Sequence, residues 1–170
     1  MKKYLITASF FGLFLCLGNN AQAQSNADLT IALTDVRTIA ISAPSVSIPF
    51  TTAAHYQSGT FKDVSSHVTI TSTNKYAVKV QAATANLSFG ANTIPVNTIG
   101  IIPTIASGDA PTLIPVTQLS TSPQDIATSL AAGTLSTVFN IRYTSTGGAE
   151  YISKPEGNYT VNLEYTILPQ

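Results

Sequence analysis

Residues 158–168 read NYTVNLEYTIL, and along this stretch apolar and polar side chains alternate. A period of two predicts a β-strand that has one apolar face and one polar face. Residues 155–157 (Pro-Glu-Gly) precede it and predict a turn that leads the chain into the strand. We call residues 158–168 the closing strand. Its predicted core-facing side chains are Tyr159, Val161, Leu163, Tyr165 and Ile167.

The same alternation recurs in short segments, separated by turn residues, over the rest of the chain. Residues 68–71 and 76–81 are predicted to form a hairpin through the turn-like residues 72–75. Residues 123–132 fit both a helix and a strand, and their β surroundings favour the strand. About ten short strands predict an all-β sandwich or barrel. The other predicted strands lie within 29–34, 39–41, 46–48, 86–90, 92–96, 99–102, 112–116 and 138–143.

The N-terminus has the pattern of a secretory signal peptide. Lys2 and Lys3 are followed by an uncharged, mostly apolar run over residues 5–18, and Ala21-Gln22-Ala23 matches a small-x-small cleavage site. The apolar run is shorter than the roughly 20 residues that a transmembrane helix needs. We therefore predict a signal peptide at 1–23 and an exported mature domain at 24–170, without a transmembrane span, found at the cell surface or outside the cell.

The composition of residues 24–170 narrows the function classes. These residues contain six Lys or Arg and eight Asp or Glu, a net charge of −2, and they lack the single cysteine, Cys16. Without a disulfide, an exported domain must be stabilised by its core or by assembly with partners. No basic patch is present, so nucleic acid is not an expected partner.

The residue types that carry catalysis or bind metals are few and scattered. His55 and His67 are the only histidines and have no cysteine or acidic cluster at metal-ligand spacing, so no metal or other cofactor is predicted. No Gly-x-Ser-x-Gly nucleophile motif occurs, and the acidic residues are spread through polar segments. We predict that the protein is not an enzyme. Loops around Tyr56, Asp109 and Tyr151 remain candidates for a binding surface.

The segment Pro155-Glu156-Gly157-Asn158-Tyr159-Thr160-Val161-Asn162-Leu163 resembles the final strand of bacterial surface β-sandwiches of the spore-coat-U and archaic chaperone–usher pilus type. The resemblance implies an immunoglobulin-like sandwich that lacks one strand. A neighbouring subunit would supply that strand by β-augmentation. It further implies that residues 28–34 are the donor, with Leu29, Ile31 and Leu33 inserted into the neighbour, and that a periplasmic chaperone takes part.

Taken together, the sequence predicts a single all-β, immunoglobulin-like sandwich over residues 27–168. Its predicted function is that of a non-enzymatic structural or adhesive subunit of an exporting bacterium, fimbria-like and assembled by strand exchange. The alternative is a monomeric extracellular module that binds a glycan or a surface protein. Residues 28–34 fit both functions, because they could equally be the first strand of a complete sandwich.

Overall fold

A computed structural model describes residues 26–130 and 133–170 of the chain. The predicted signal peptide, 1–23, lies outside the described residues. Residues 34–170 form one compact unit. Residues 26–33 belong to a separate unit, and they contain no helix or strand.

The compact unit consists of two four-stranded antiparallel sheets and a hairpin. Sheet A has the strand order β1-β2-β9-β6, sheet B has the order β10-β3-β8-β7, and β4 pairs with β5. A short helix α1 and one 3₁₀ turn lie between strands. The bounds are β1 Arg37–Ile41, α1 Ala53–Ser58, β2 Thr60–Ser72, β3 Tyr76–Ala82, β4 Asn86–Phe89, β5 Asn92–Pro95, the 3₁₀ turn Val96–Thr98, β6 Ile99–Ser107, β7 Thr112–Leu113, β8 Gln124–Ser129, β9 Thr134–Ser145 and β10 Leu163–Pro169.

Six of the strands are ordered as in an immunoglobulin-like sandwich, and β8 and β7 extend sheet B beyond β3. In that fold one sheet contains strands A, B, E and D, and the other contains C, F and G. Strands β1, β2, β9 and β6 occupy the A, B, E and D places in sheet A, while β3 and β10 occupy the C and F places in sheet B. The prediction of an all-β, immunoglobulin-like sandwich is confirmed.

The core lies between the two sheets and is built by the period-two alternation of their strands. Inward side chains on the central strands have no solvent exposure, and burying a side chain of this size contributes roughly 1.5–3 kcal/mol. The fully buried apolar set includes Val68, Ile70, Val78, Val80, Ile126, Phe139 and Ile141. These residues hold the two sheets together, since residues 24–170 contain no cysteine that could form a disulfide.

The predicted hairpin of residues 68–71 and 76–81 is wrong. Strand β2 belongs to sheet A and β3 to sheet B, so residues 73–75 cross from one sheet to the other. Each strand has a fully buried face, and the crossing allows those two faces to meet in the core. At the crossing, the Ser72 hydroxyl donates to the Asn74 carbonyl over 2.6 Å. Turn-like composition marks a change of direction in both arrangements, so it could not distinguish a crossing from a hairpin.

Two other segments differ from the sequence predictions, and in a third the structure distinguishes between the two conformations that the sequence allowed. Residues 46–48 form no strand, although Val46 and Ile48 pack against the core. Residues 29–34 also form no strand. The ambiguous segment 123–132 contains β8, which agrees with the favoured strand.

Candidate functional site

Strand β10 forms one edge of sheet B, and it contains the second half of the closing strand. It pairs with β3 in a continuous antiparallel register from Leu163 opposite Ala82 to Pro169 opposite Tyr76. In the part of the chain that the structure describes, no strand pairs with its other side. Folded proteins usually protect such edges with lysines, prolines or bulges. This edge has no lysine and no register shift, and its single proline lies at the last position.

The first half of the closing strand lies outside sheet B. Residues 158–162 are not part of β10, and Thr160 instead forms an isolated bridge with Ser88 of β4. The ring of Tyr159 contacts that of Phe89 with 5.6 Å between centroids. Burial nevertheless alternates along the whole stretch, with Tyr159, Val161, Leu163, Tyr165 and Ile167 half-buried and the residues between them exposed.

The core is incompletely covered where β1 and β10 face each other across the sandwich. The inward side chains here pack on the core but remain partly exposed, whereas Val78 and Val80 on the neighbouring β3 have no exposure. We call this strip the edge groove. Its lining residues are Ile39, Leu163, Tyr165 and Ile167.

Residues 28–34, which we call the N-terminal segment, carry apolar side chains in full contact with solvent. Leu29, Ile31 and Leu33 are 89%, 76% and 90% exposed. Single exposed apolar residues are common on protein surfaces, but three at alternating positions form a continuous apolar stripe when the backbone is extended. The segment has seven residues, the same number as β10.

The chain leading into β1 is attached at the end of the sandwich where β10 also finishes. The Val36 amide donates to the Thr73 hydroxyl over 2.9 Å, and the Thr73 amide donates to the Val36 carbonyl over 3.0 Å. Thr73 lies in the crossing between β2 and β3, and the adjacent Lys75 carbonyl accepts from the amide of Gln170, just after β10. The segment's C-terminal attachment and the end of β10 are therefore neighbours.

A buried polar network connects β10 to sheet A. His67 Nε2 lies 2.9 Å from the Tyr143 hydroxyl, which lies 2.6 Å from the Tyr165 hydroxyl. His67 is only 2% exposed, and its Nδ1 lies 3.5 Å from the Ser42 hydroxyl. Burial lowers the pKa of His67. Burial raises the pKa of Tyr143 to about 12 and also raises the pKa of Tyr165, so both phenols stay protonated at neutral pH.

The buried position of His67 differs from what the alternation of β2 predicts. Alternation from Val68 and Ile70 would turn His67 outward. A bulge between Val64 and Val68, in which Ser66 has a φ of +48°, turns the imidazole into the core instead. The break in alternation at residues 65–66 was the one available signal.

The alternative binding surface is divided between the two ends of β9. The Tyr56 carbonyl accepts from the Gly148 amide just beyond the end of β9, whereas Asp109 contacts Thr137 near its start. At about 3.3 Å per residue, the eight steps along the strand from Thr137 to Ser145 separate these ends by about 26 Å. Asp109 therefore cannot share a small-ligand site with the two tyrosines.

The two tyrosines of that surface lie in one aromatic cluster at the same end of the sandwich. Phe50 stacks on Tyr151 with 4.6 Å between centroids and meets Tyr56 edge-on at 5.2 Å. The Tyr151 hydroxyl lies 2.7 Å from the Thr98 hydroxyl, and the residue is 8% exposed. Tyr151 is thus a packing residue, and one of its ring faces is occupied by Phe50.

The two histidines serve separate local structures. The Thr51 amide donates to His55 Nδ1 over 3.1 Å at the start of α1, whereas His67 lies in the core. In residues 26–130 and 133–170, no three His, Cys, Asp or Glu residues come together as a metal site. No helix in these ranges has the length and apolar character needed to cross a bilayer.

No family model and no curated protein sequence matches this chain.

Proposed function

We propose that this protein is an exported, non-enzymatic structural subunit that assembles by donating residues 28–34 to the edge groove of another copy. One observation carries the proposal. The unpaired edge of β10 lies beside a half-covered core, and the same chain carries an exposed apolar stripe of equal length. The resemblance of residues 155–163 to pilus-type subunits points the same way.

The inserted segment would satisfy two needs of the acceptor. Its backbone would pair with the free side of β10, as in other cases of β-augmentation. Its apolar side chains, Leu29, Ile31 and Leu33, would cover the edge groove. Burial of each such side chain contributes roughly 1.5–3 kcal/mol, and the ordered β10 edge provides a preformed template for pairing.

The direction of the chain favours donation to a neighbour. Val36, just after the segment, is hydrogen-bonded at the end of the sandwich where β10 also ends, so a segment that paired with its own β10 would run parallel to it. A neighbour's segment is free to pair antiparallel, and antiparallel pairing is slightly more stable per residue. Donor and acceptor surfaces are different parts of the chain, so repeated donation is head-to-tail and produces an open filament rather than a closed dimer.

A subunit whose edge groove is empty is expected to need a protecting partner until it assembles. A free edge strand beside exposed apolar side chains promotes nonspecific pairing with other chains. A periplasmic chaperone that covers β10 during export would prevent this. Such a chaperone fits the signal peptide predicted at residues 1–23.

The size distribution of the mature chain tests the proposal. Light scattering of residues 24–170 over a range of concentrations should show a series of multimers that persists after dilution. A chain that begins at Asp35 should be a folded monomer, since it keeps the acceptor and loses the donor. A monomeric mature chain, together with an unfolded shortened chain, would mean that residues 28–34 belong to their own sandwich.

A further inference from the structure

The outer face of sheet A carries a compact polar patch that has no role in strand exchange. Register places Asp63, Arg142 and Ile102 side by side on β2, β9 and β6. The next row along the strands contains Asn140 and Thr104, with Ser65 of the β2 bulge beside them. We call these six residues the outer-face site. They line a cleft of about 380 Å³, which is at the small end of the roughly 300–1,000 Å³ usual for small-molecule sites.

The β2 bulge shapes the cleft and orients Asn140. Between Val64 and Val68, β2 has three residues opposite the single residue Asn140. The Ser66 amide donates to Asn140 Oδ1 over 2.8 Å. A backbone N–H requires an acceptor, so this bond determines which amide atom is the oxygen. The Asn140 NH₂ group then offers two donors, and no described residue accepts from it.

Arg142 and Asp63 hold each other in a planar arrangement. Arg142 Nε donates to Asp63 Oδ1 over 2.6 Å, and the guanidinium's second nitrogen donates to Oδ2 over 2.9 Å. The Arg142 guanidinium also lies over the ring of Phe61, 4.2 Å from its centroid. The hydrogen bonds from Arg142 keep the pKa of the Asp63 carboxyl below its usual value, so the pair is fully charged at neutral pH. Exposed pairs of this kind contribute little to stability.

The donors and acceptors that the site's own hydrogen bonds leave available determine which chemical groups a ligand must carry. A guanidinium has five N–H donors, and Arg142 uses two of them on Asp63. The Asp63 carboxylate keeps unused acceptor positions beside these donors. The hydroxyls of Ser65 and Thr104 can donate or accept. A ligand hydroxyl can therefore donate to Asp63 while it accepts from Arg142 or Asn140.

Charge and shape favour a neutral ligand with several hydroxyl groups. The adjacent Asp63 and Arg142 charges cancel, so neither an anion nor a cation gains a net attraction from the pair. Ile102 is 36% exposed within the cleft, which gives apolar surface for the C–H face of a ring. We propose that the outer-face site binds a neutral saccharide, with Asp63, Asn140 and Arg142 as the hydrogen-bonding residues.

Saturation-transfer NMR on the full mature chain tests this site with glucose, galactose, mannose and N-acetylglucosamine as probes. At least one probe should receive transfer and show a millimolar affinity that is unchanged by added salt, because a neutral ligand has no charge to screen. Asp63→Asn and Arg142→Ala should each weaken binding at least about tenfold, the effect of losing one charged hydrogen bond. The matched control is Asp125→Asn, which removes the partly buried ion pair Lys79–Asp125 on sheet B, and it should bind as the unaltered protein does.

Three outcomes would overturn the saccharide site. They are no transfer to any of the four probes, equal losses of affinity in Asp125→Asn and Asp63→Asn, and binding that requires an anionic sugar and weakens with salt. Circular dichroism of each variant establishes that it is folded, and Asp63→Asn, an isosteric surface change, is the least disruptive. None of these residues lines the edge groove, so a failed sugar test leaves strand exchange untouched, and a failed assembly test leaves the sugar site untouched.

Discussion

Replacing Ile31 by aspartate is expected to convert the multimers of the mature protein into monomers. Ile31 is the middle residue of the apolar stripe, with Leu29 and Leu33 on either side. In strand exchange its side chain enters the neighbour's edge groove among Leu163, Tyr165 and Ile167. An aspartate there would be desolvated without a cationic partner, at a penalty of several kcal/mol. Light scattering and size-exclusion chromatography measure the loss of multimers.

Thr30→Asp is the matched control, because it places the same charge one residue away. Alternation directs residue 30 away from the groove when residue 31 faces it. Thr30→Asp should therefore still form multimers. If both variants assemble, or both fail, the side chains of the N-terminal segment do not enter a groove in the proposed orientation.

Acidification from pH 7.5 to pH 5 is expected to lower the free energy of unfolding through His67. In the unfolded chain an imidazole has a pKa of about 6.5, and burial lowers the pKa of His67 in the folded protein. The unfolded state then binds more protons as the pH falls below about 6.5, so stability that is present above that pH is lost below it. Tyr143 and Tyr165 face the imidazole and remain neutral throughout, since burial raises the pKa of both.

Urea unfolding at several pH values measures this effect. His67→Leu should remove most of the dependence between pH 5 and 7.5, although it also costs about 1–3 kcal/mol at neutral pH because the Tyr143 hydroxyl loses a partner. His55→Asn is the control and should keep the dependence, because His55 is at the surface end of α1 rather than in the core. An unchanged pH profile in His67→Leu would show that His67 is not the group responsible.

The network also connects acid stability to assembly. His67 and Tyr143 belong to sheet A, whereas Tyr165 is on β10 and lines the edge groove. Protonating His67 places a charge beneath β10, the strand that we propose as the acceptor. We therefore expect β10 to be among the first strands whose backbone amides lose protection, relative to the intrinsic exchange rate at each pH, as the pH falls.

The sequence predicted the fold class because the core depends on alternation, which a single sequence displays. The inward positions of β3 and β10 follow directly from the pattern over residues 76–81 and 158–168. Strand partners could not be predicted in the same way. Whether residues 72–75 form a hairpin or a crossing depends on which faces meet across the core, and that is a property of the whole chain.

The candidate sites differ in the same way: some follow from the alternation in the sequence, and others depend on how the strands pair. Leu29, Ile31 and Leu33 were predicted as donor residues from their alternation and from the resemblance of residues 155–163, and this role stays a prediction. Asp63 and Arg142 are 79 residues apart, and only strand register brings them together. The burial of His67 could not be predicted from alternation, because a local bulge outweighs that pattern.

Disulfide trapping in the assembled protein tests strand exchange most directly. Residues 24–170 contain no cysteine, so Ile31→Cys can be combined in turn with Leu163→Cys, Tyr165→Cys and Ile167→Cys without competing thiols. Neighbouring strands bring Cα atoms within the roughly 4.4–6.8 Å that a disulfide requires. Strand exchange predicts a ladder of covalent multimers on a non-reducing gel for at least one pair, and none for Thr30→Cys with Tyr165→Cys. A disulfide that forms only within monomers, or no disulfide in any pair, would contradict it.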